Sequence, residues 1–172
     1  MDKYYKIVTD RSPFAEIYNM NGIIQKGTQV VNPYNFFEPG FYYWLGPEYL
    51  HFSQGAFDTM LWHNILFRYD SLWFQIYEIV PLSQVYKNRC LDNNGFFQCG
   101  AEKIEIRSLI DIDDIYKGAL QEYCDNPDEK IKMYPNLQMA QVIDACKHYT
   151  HFFPRILPWE QEALRLQYAQ NR

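Results

Sequence analysis

The chain has no long apolar run, no long basic run and no recognisable phosphate loop. No stretch approaches the ~20 apolar residues needed to span a bilayer, so no membrane partner is expected. No run of Lys and Arg exceeds two residues, and the formal net charge is −5. That leaves no electrostatic footprint for nucleic acid. The patterns G-x-x-x-x-G-K-[ST], G-x-G-x-x-G and G-x-S-x-G are all missing. Phosphate-loop, dinucleotide-fold and α/β-hydrolase chemistries are therefore disfavoured. Of the four cysteines, Cys90, Cys99, Cys124 and Cys146, none forms a C-x-x-C pair. Met1-Asp2-Lys3 runs straight into a folded-looking segment, so a cytoplasmic protein with reduced thiols is expected.

Aromatic residues, by contrast, are plentiful. They make up 18% of the 172 residues, with 15 Tyr and 12 Phe. The densest stretch runs from Val30 to Trp44 and holds seven aromatic residues, two prolines and a glycine. Pro39-Gly40 is turn chemistry, and Phe41 to about Leu45 reads as a strand leaving it. Aromatic side chains bury large areas, so this segment is either core or a ring-stacking surface. Strand alternation puts Phe41 and Tyr43 on one face and Tyr42 and Trp44 on the other. The four are the candidate binding residues.

The length fits one domain with a real core. Residues 1–110 read as β-rich. Tyr4–Thr9 is an opening strand, Thr28–Val31 a short one, and Leu72–Val80 the strongest. Asn21-Gly22 is a hairpin signal. Gln84–Tyr86 can pair as a short strand. Lys103–Arg107 alternates isoleucine with charge, as a half-buried strand near a sheet edge does. Gly46-Pro47-Glu48 predicts a short helix over Glu48–Phe52, and a second covers about Ala56–Phe67. From Asp111 helical signals take over. Ile112, Ile115, Tyr116, Ala119, Leu120 and Tyr123 share one face, with Asp111 as cap. Asn136 opens a second helix, whose buried side carries Met139, Val142, Ile143, Cys146 and Tyr149. Pro158 starts a last one over Trp159–Gln170. The expected fold is α+β: a twisted, mostly antiparallel sheet with a helical part, residues 111–172, packed on it.

Three constellations could carry chemistry, and each has a blander explanation. His148 and His151 are three apart and could share a metal with Glu160 or Glu162, but cationic side chains also suit a helix C-terminus. Cys90 and Cys99 flank the Asn93-Asn94-Gly95 turn as a pair, or serve as small core residues. Glu102, Glu105, Asp111, Asp113 and Asp114 could hide an acid/base pair, or line an exposed strand and a helix start.

The order of several landmarks is similar to a small domain of uncharacterised giant-virus and phage proteins. They are Tyr4-Tyr5-Lys6-Ile7-Val8, Asn21-Gly22-Ile23-Ile24, Lys26-Gly27, Asn32-Pro33, Pro39-Gly40-Phe41-Tyr42-Tyr43, Tyr77-Glu78-Ile79-Val80-Pro81 and Cys99 to Ile106. The resemblance covers about residues 4–107. It implies an accessory protein that binds a host or virion protein without catalysis, possible in host cytoplasm, with a homo-oligomer as a further option. No cofactor is expected on that reading. The same order also resembles the split sheet of ADP-ribosyltransferases. That likeness would have Tyr42 or Tyr43 stack on nicotinamide, Glu105 serve as the late-strand carboxylate, and NAD or ADP-ribose be the ligand. The early strand offers Tyr5, Lys6 and Thr9 where such enzymes place a His or Arg.

Overall fold

A computed structural model describes residues 2–9, 26–31, 50–68, 74–89, 97–147, 149–150 and 158–170. The aromatic strand from Phe41, the Asn21-Gly22 hairpin, Cys90, His148 and His151 lie outside these described residues.

The described residues form seven strands and five helices, an α+β architecture. The strands are β1 (Tyr4–Thr9), β2 (Gln29–Val31), β3 (Leu50–Gln54), β4 (Phe74–Pro81), β5 (Tyr86–Arg89), β6 (Phe97–Ala101) and β7 (Lys103–Ile110). The helices are α1 (Gly55–Arg68), α2 (Ile112–Asp125), α3 (Pro127–Met133), α4 (Met139–Lys147) and α5 (Pro158–Gln170). The sheet order is β2-β7-β4-β1-β3-β6-β5, and every pairing is antiparallel. The first strand in sequence is thus the central one.

Period-two patterning places the core. Val8, Leu50, Phe52, Tyr77, Ile79, Ile104 and Ile106 are buried together in one cluster on the sheet. Tyr5, Ile7 and Ile76 instead meet Ile115 of α2. The third and largest cluster is helical. It joins Phe57, Met60 and Leu61 of α1 to α2, α4 and Ala163 of α5. Helix α1, although it lies within the β-rich stretch of sequence, therefore belongs to the helical layer.

The buried aromatic residues explain several polar positions. Tyr77, Tyr116, Tyr123, Phe52 and Phe57 are among the largest fully buried side chains. A buried tyrosine needs a partner for its hydroxyl. Tyr77 donates to Gln75 at 2.6 Å, Tyr123 to Gln170 at 3.3 Å, and Tyr134 to Asp58.

The structure revises several sequence expectations. The helix predicted over Glu48–Phe52 is not formed at residues 50–52, which belong to strand β3. Leu50 and Phe52 point into the sheet cluster at period two and pair with Ala101 and Cys99 of β6, while Ser53 and Gln54 pair with β1, so pairing outweighs the Pro47 start signal. Strand β7 runs three residues further than predicted and is covered on its outer side by β2, so it is second from the edge. Strand β6 and helix α3 have no counterpart among the sequence expectations. The short strand sits at Tyr86–Arg89 rather than Gln84–Tyr86. Helix α4 begins at Met139, and Tyr149 lies beyond its end, 44% exposed, with its ring edge-on to Phe74. Tyr149 is thus not part of the buried face.

The Asp111 cap forms as expected. Its side chain accepts from Asp113 N–H at 2.8 Å, and the first turn is acidic. Asn126 closes α2 and also caps α3, accepting from Glu129 N–H with Pro127 in the first turn. The start of α4 is closed from a distance: the Gln167 side-chain amide accepts from Met139 N–H and donates to the Leu137 carbonyl, both within the core.

Candidate functional site

A cleft opens where β3 turns into α1. Its volume is about 420 Å³. Asp2 and Lys3, just before the first strand, and Tyr5 within it line the cleft, with Gln54, Gly55 and Asp58 at the strand–helix joint. Lys87 of β5, Gly118 and Glu122 of α2, and Glu129, Lys130 and Met133 of α3 complete the wall.

Gly55 makes this corner. Its φ is +80°, in the left-handed region that an L side chain rarely adopts. A Cβ there would stand 3.1 and 3.4 Å from the two carboxylate oxygens of Glu122. The missing side chain leaves room for Glu122 to reach the start of α1. Its Oε2 accepts from Ala56 N–H and Phe57 N–H, each at 3.1 Å. Gly55 N–H is taken by the Lys3 carbonyl at 2.8 Å. Helix starts leave N–H groups without internal partners and carry partial positive charge, so a carboxylate suits them. Gly118 lets the two helices approach, since a Cβ there would meet Ala56 at 3.2 Å.

The other oxygen of Glu122 accepts from Lys130 Nζ at 3.1 Å. Lys130 also stands 5.2 Å from the centroid of the Phe57 ring. One carboxylate thus ties α1, α2 and α3 together.

Asp58 lies one turn into α1 and is only 4% exposed. Burial raises its carboxyl to about 6, against the lowering pull of the Tyr134 hydroxyl and of Lys87 and Lys130. Lys87 reaches Gln54 at 3.3 Å and lies 4.8 Å from the Phe97 ring centroid. The cleft therefore holds a carboxyl that exchanges its proton near neutral pH, inside a wall of mixed charge.

The candidates from the sequence fall elsewhere. Phe41, Tyr42, Tyr43 and Trp44 are outside the described residues. Glu105 is on β7, ion-paired with Arg107 at 2.9 Å, and does not line the cleft. Glu102 is exposed, and Asp111, Asp113 and Asp114 form the start of α2. Glu160 is buried against Lys147 at 3.1 Å, while Glu162 pairs with Arg165 on the outside at 2.6 Å. Among the described residues, no group of three or more His, Cys, Asp or Glu side chains could hold a metal ion. Cys99 is a free, buried thiol that burial pushes up to about 11, so it stays protonated at neutral pH. Cys146 is likewise buried and pushed up to about 12.

Sequence reasoning did not find the Gly55–Glu122 pair. The two residues are far apart in the chain, and no local cap precedes α1 to advertise its start. The single trace in the sequence is a glycine at a strand-to-helix joint. Comparison with protein families, curated proteins and solved structures finds no match. Among the described residues, no helix is long and apolar enough to cross a membrane.

Proposed function

We propose that the protein works by binding a protein partner, without catalysis of its own. The observation that carries this reading is the outer side of α5. Leu164 and Tyr168 lie one helical turn apart and are 37% and 64% exposed. Glu160, Ala163 and Gln167 form the buried side of the same helix. Side chains four apart share a helix face, and tyrosine joins a large apolar area to a polar tip. Such residues serve as interface anchors. The Glu162–Arg165 ion pair flanks the two and gives the patch a polar rim.

The cleft is consistent with this reading. Glu122 is engaged by two N–H groups and an ammonium, and Asp58 by a phenol. Those groups are spent on holding helices together. The viral or phage setting implied by the resemblance would make the partner a host or virion protein in the cytoplasm.

A photo-crosslinking residue at Tyr168, in the full chain expressed in its natural cells, tests the proposal. The expected result is a discrete adduct with another protein. That adduct should disappear in a crosslinker-bearing chain that also carries Leu164→Ala, with thermal stability unchanged. No adduct, or an adduct only with a second copy of the chain, refutes the reading.

A further inference from the structure

Helix α3 is the one described helix with no buried residue. It nevertheless runs along the cleft and supplies Glu129, Lys130 and Met133 to the wall. Its ends are two non-helical joints, Asn126 at φ −147° and ψ 69°, and Tyr134 at φ −130° and ψ 76°. Three polar ties among the described residues hold it to the body of the protein. Asp128 accepts from the Gln170 amide at 3.0 Å near its start, Lys130 reaches Glu122 from its middle, and the Tyr134 hydroxyl donates to Asp58 at its end. The Tyr134 ring packs on Phe57 and Phe97, with centroids 5.8 and 6.1 Å away. Segments with little buried apolar area open locally well below the cost of global unfolding. Joints of this kind absorb such motion.

We propose that α3 together with Tyr134 is a strap closed over the cleft, and that the ionisation of Asp58 controls its opening. The groups facing Asp58 come from every element around it: Tyr134 and Lys130 from the strap, Glu122 from α2, Lys87 from β5 and Cys99 from β6. Tyr134, Lys87 and Lys130 favour the carboxylate, while burial and Glu122 favour the neutral acid. Burial is the largest influence, so the closed strap binds the proton more tightly than a hydrated aspartate does. Opening hydrates Asp58 and returns it toward its ordinary value near 3.8. Protons therefore favour closure, and raising the pH from about 3.8 to about 6 favours opening, with no further change above that. The full swing in the opening equilibrium is on the order of 100-fold between pH 4 and pH 7.

Amide hydrogen exchange of the whole chain tests this, with the intrinsic pH dependence of exchange divided out. The α3 amides should lose roughly 25-fold protection between pH 4.5 and 7.5, while those in the middle of α2 change little. Asp58→Asn should abolish the pH dependence of α3. Tyr134→Phe keeps the ring but removes the hydroxyl bond that lowers the Asp58 value. The titration midpoint of Asp58, read by carbon NMR, and the α3 transition should then move up together. This second variant keeps the test open if Asp58→Asn fails to fold. The strap is refuted if α3 exchanges at the rate of α2 at every pH. The role of Asp58 is refuted if the α3 transition persists in Asp58→Asn or stays fixed in Tyr134→Phe.

Discussion

Gly55→Ala is the substitution whose effect the structure specifies most closely. Two costs arise at one atom. Holding a side-chain-bearing residue at a left-handed φ costs about 1–2 kcal/mol. The new methyl also stands 3.1 Å from a Glu122 oxygen, tighter than ordinary contact, so the carboxylate must retreat. That retreat stretches two 3.1 Å bonds at the start of α1. Loss of a helix N-cap costs about 1 kcal/mol. The sum is about 2–3 kcal/mol, or roughly 5–10 °C in melting temperature for a domain of this size. Urea unfolding of four proteins separates the two costs: wild type, Gly55→Ala, Glu122→Ala and the double variant. With Glu122 truncated, the methyl has nothing to displace and only backbone strain remains. The double variant should therefore be more stable than the sum of the single effects predicts, by about 1 kcal/mol. Strict additivity would refute the claim that the glycine exists to admit the carboxylate.

Lys6 is buried in the central strand, and burial alone lowers its ammonium from 10.5 to about 8. The unfolded chain then binds the proton more tightly between those values, so stability should rise as pH climbs from about 8 to 10.5. The rise is at most about 3 kcal/mol, and Lys6→Met should remove it in chemical denaturation across that range. Gln167→Ala leaves Met139 N–H and the Leu137 carbonyl unpaired in the core. Unmet buried groups cost about 1–3 kcal/mol each, so calorimetry should show a loss of about 3 kcal/mol. Removing the exposed Glu162–Arg165 pair by Glu162→Ala should change stability by less than about 0.5 kcal/mol in the same measurement.

The parts of the fold legible in the sequence are those whose signal is local. Helix α2 announces itself by an apolar residue every three or four positions and by Asp111 before its first turn. Strand β4 does so by apolar residues on both faces. Strand β3 is misread because Pro47 and Glu48 imitate a helix start while Leu50 and Phe52 supply only two alternating positions. Helix α3 carries no buried residue, so no hydrophobic period betrays it. The cleft is hidden for a different reason. Gly55 from one half of the chain and Glu122 from the other are brought together by tertiary packing, which no spacing rule encodes. The aromatic surplus is better explained. Tyr77, Tyr116, Tyr123, Phe52 and Phe57 fill the interior, and Gln75 and Gln170 receive the hydroxyls of Tyr77 and Tyr123.

The position of β1 bears on how the chain is made. It is synthesised before both of its neighbours, β3 and β4, which begin at Leu50 and Phe74. Until β3 has been made, the middle of the future sheet has no lateral partner, and its second edge stays open until β4 ends at Pro81. Antiparallel contacts over such separations form slowly, because the intervening loop must close before pairing is rewarded. Nascent chains of intermediate length should accordingly be the species that holding chaperones bind and that aggregate when synthesis stalls.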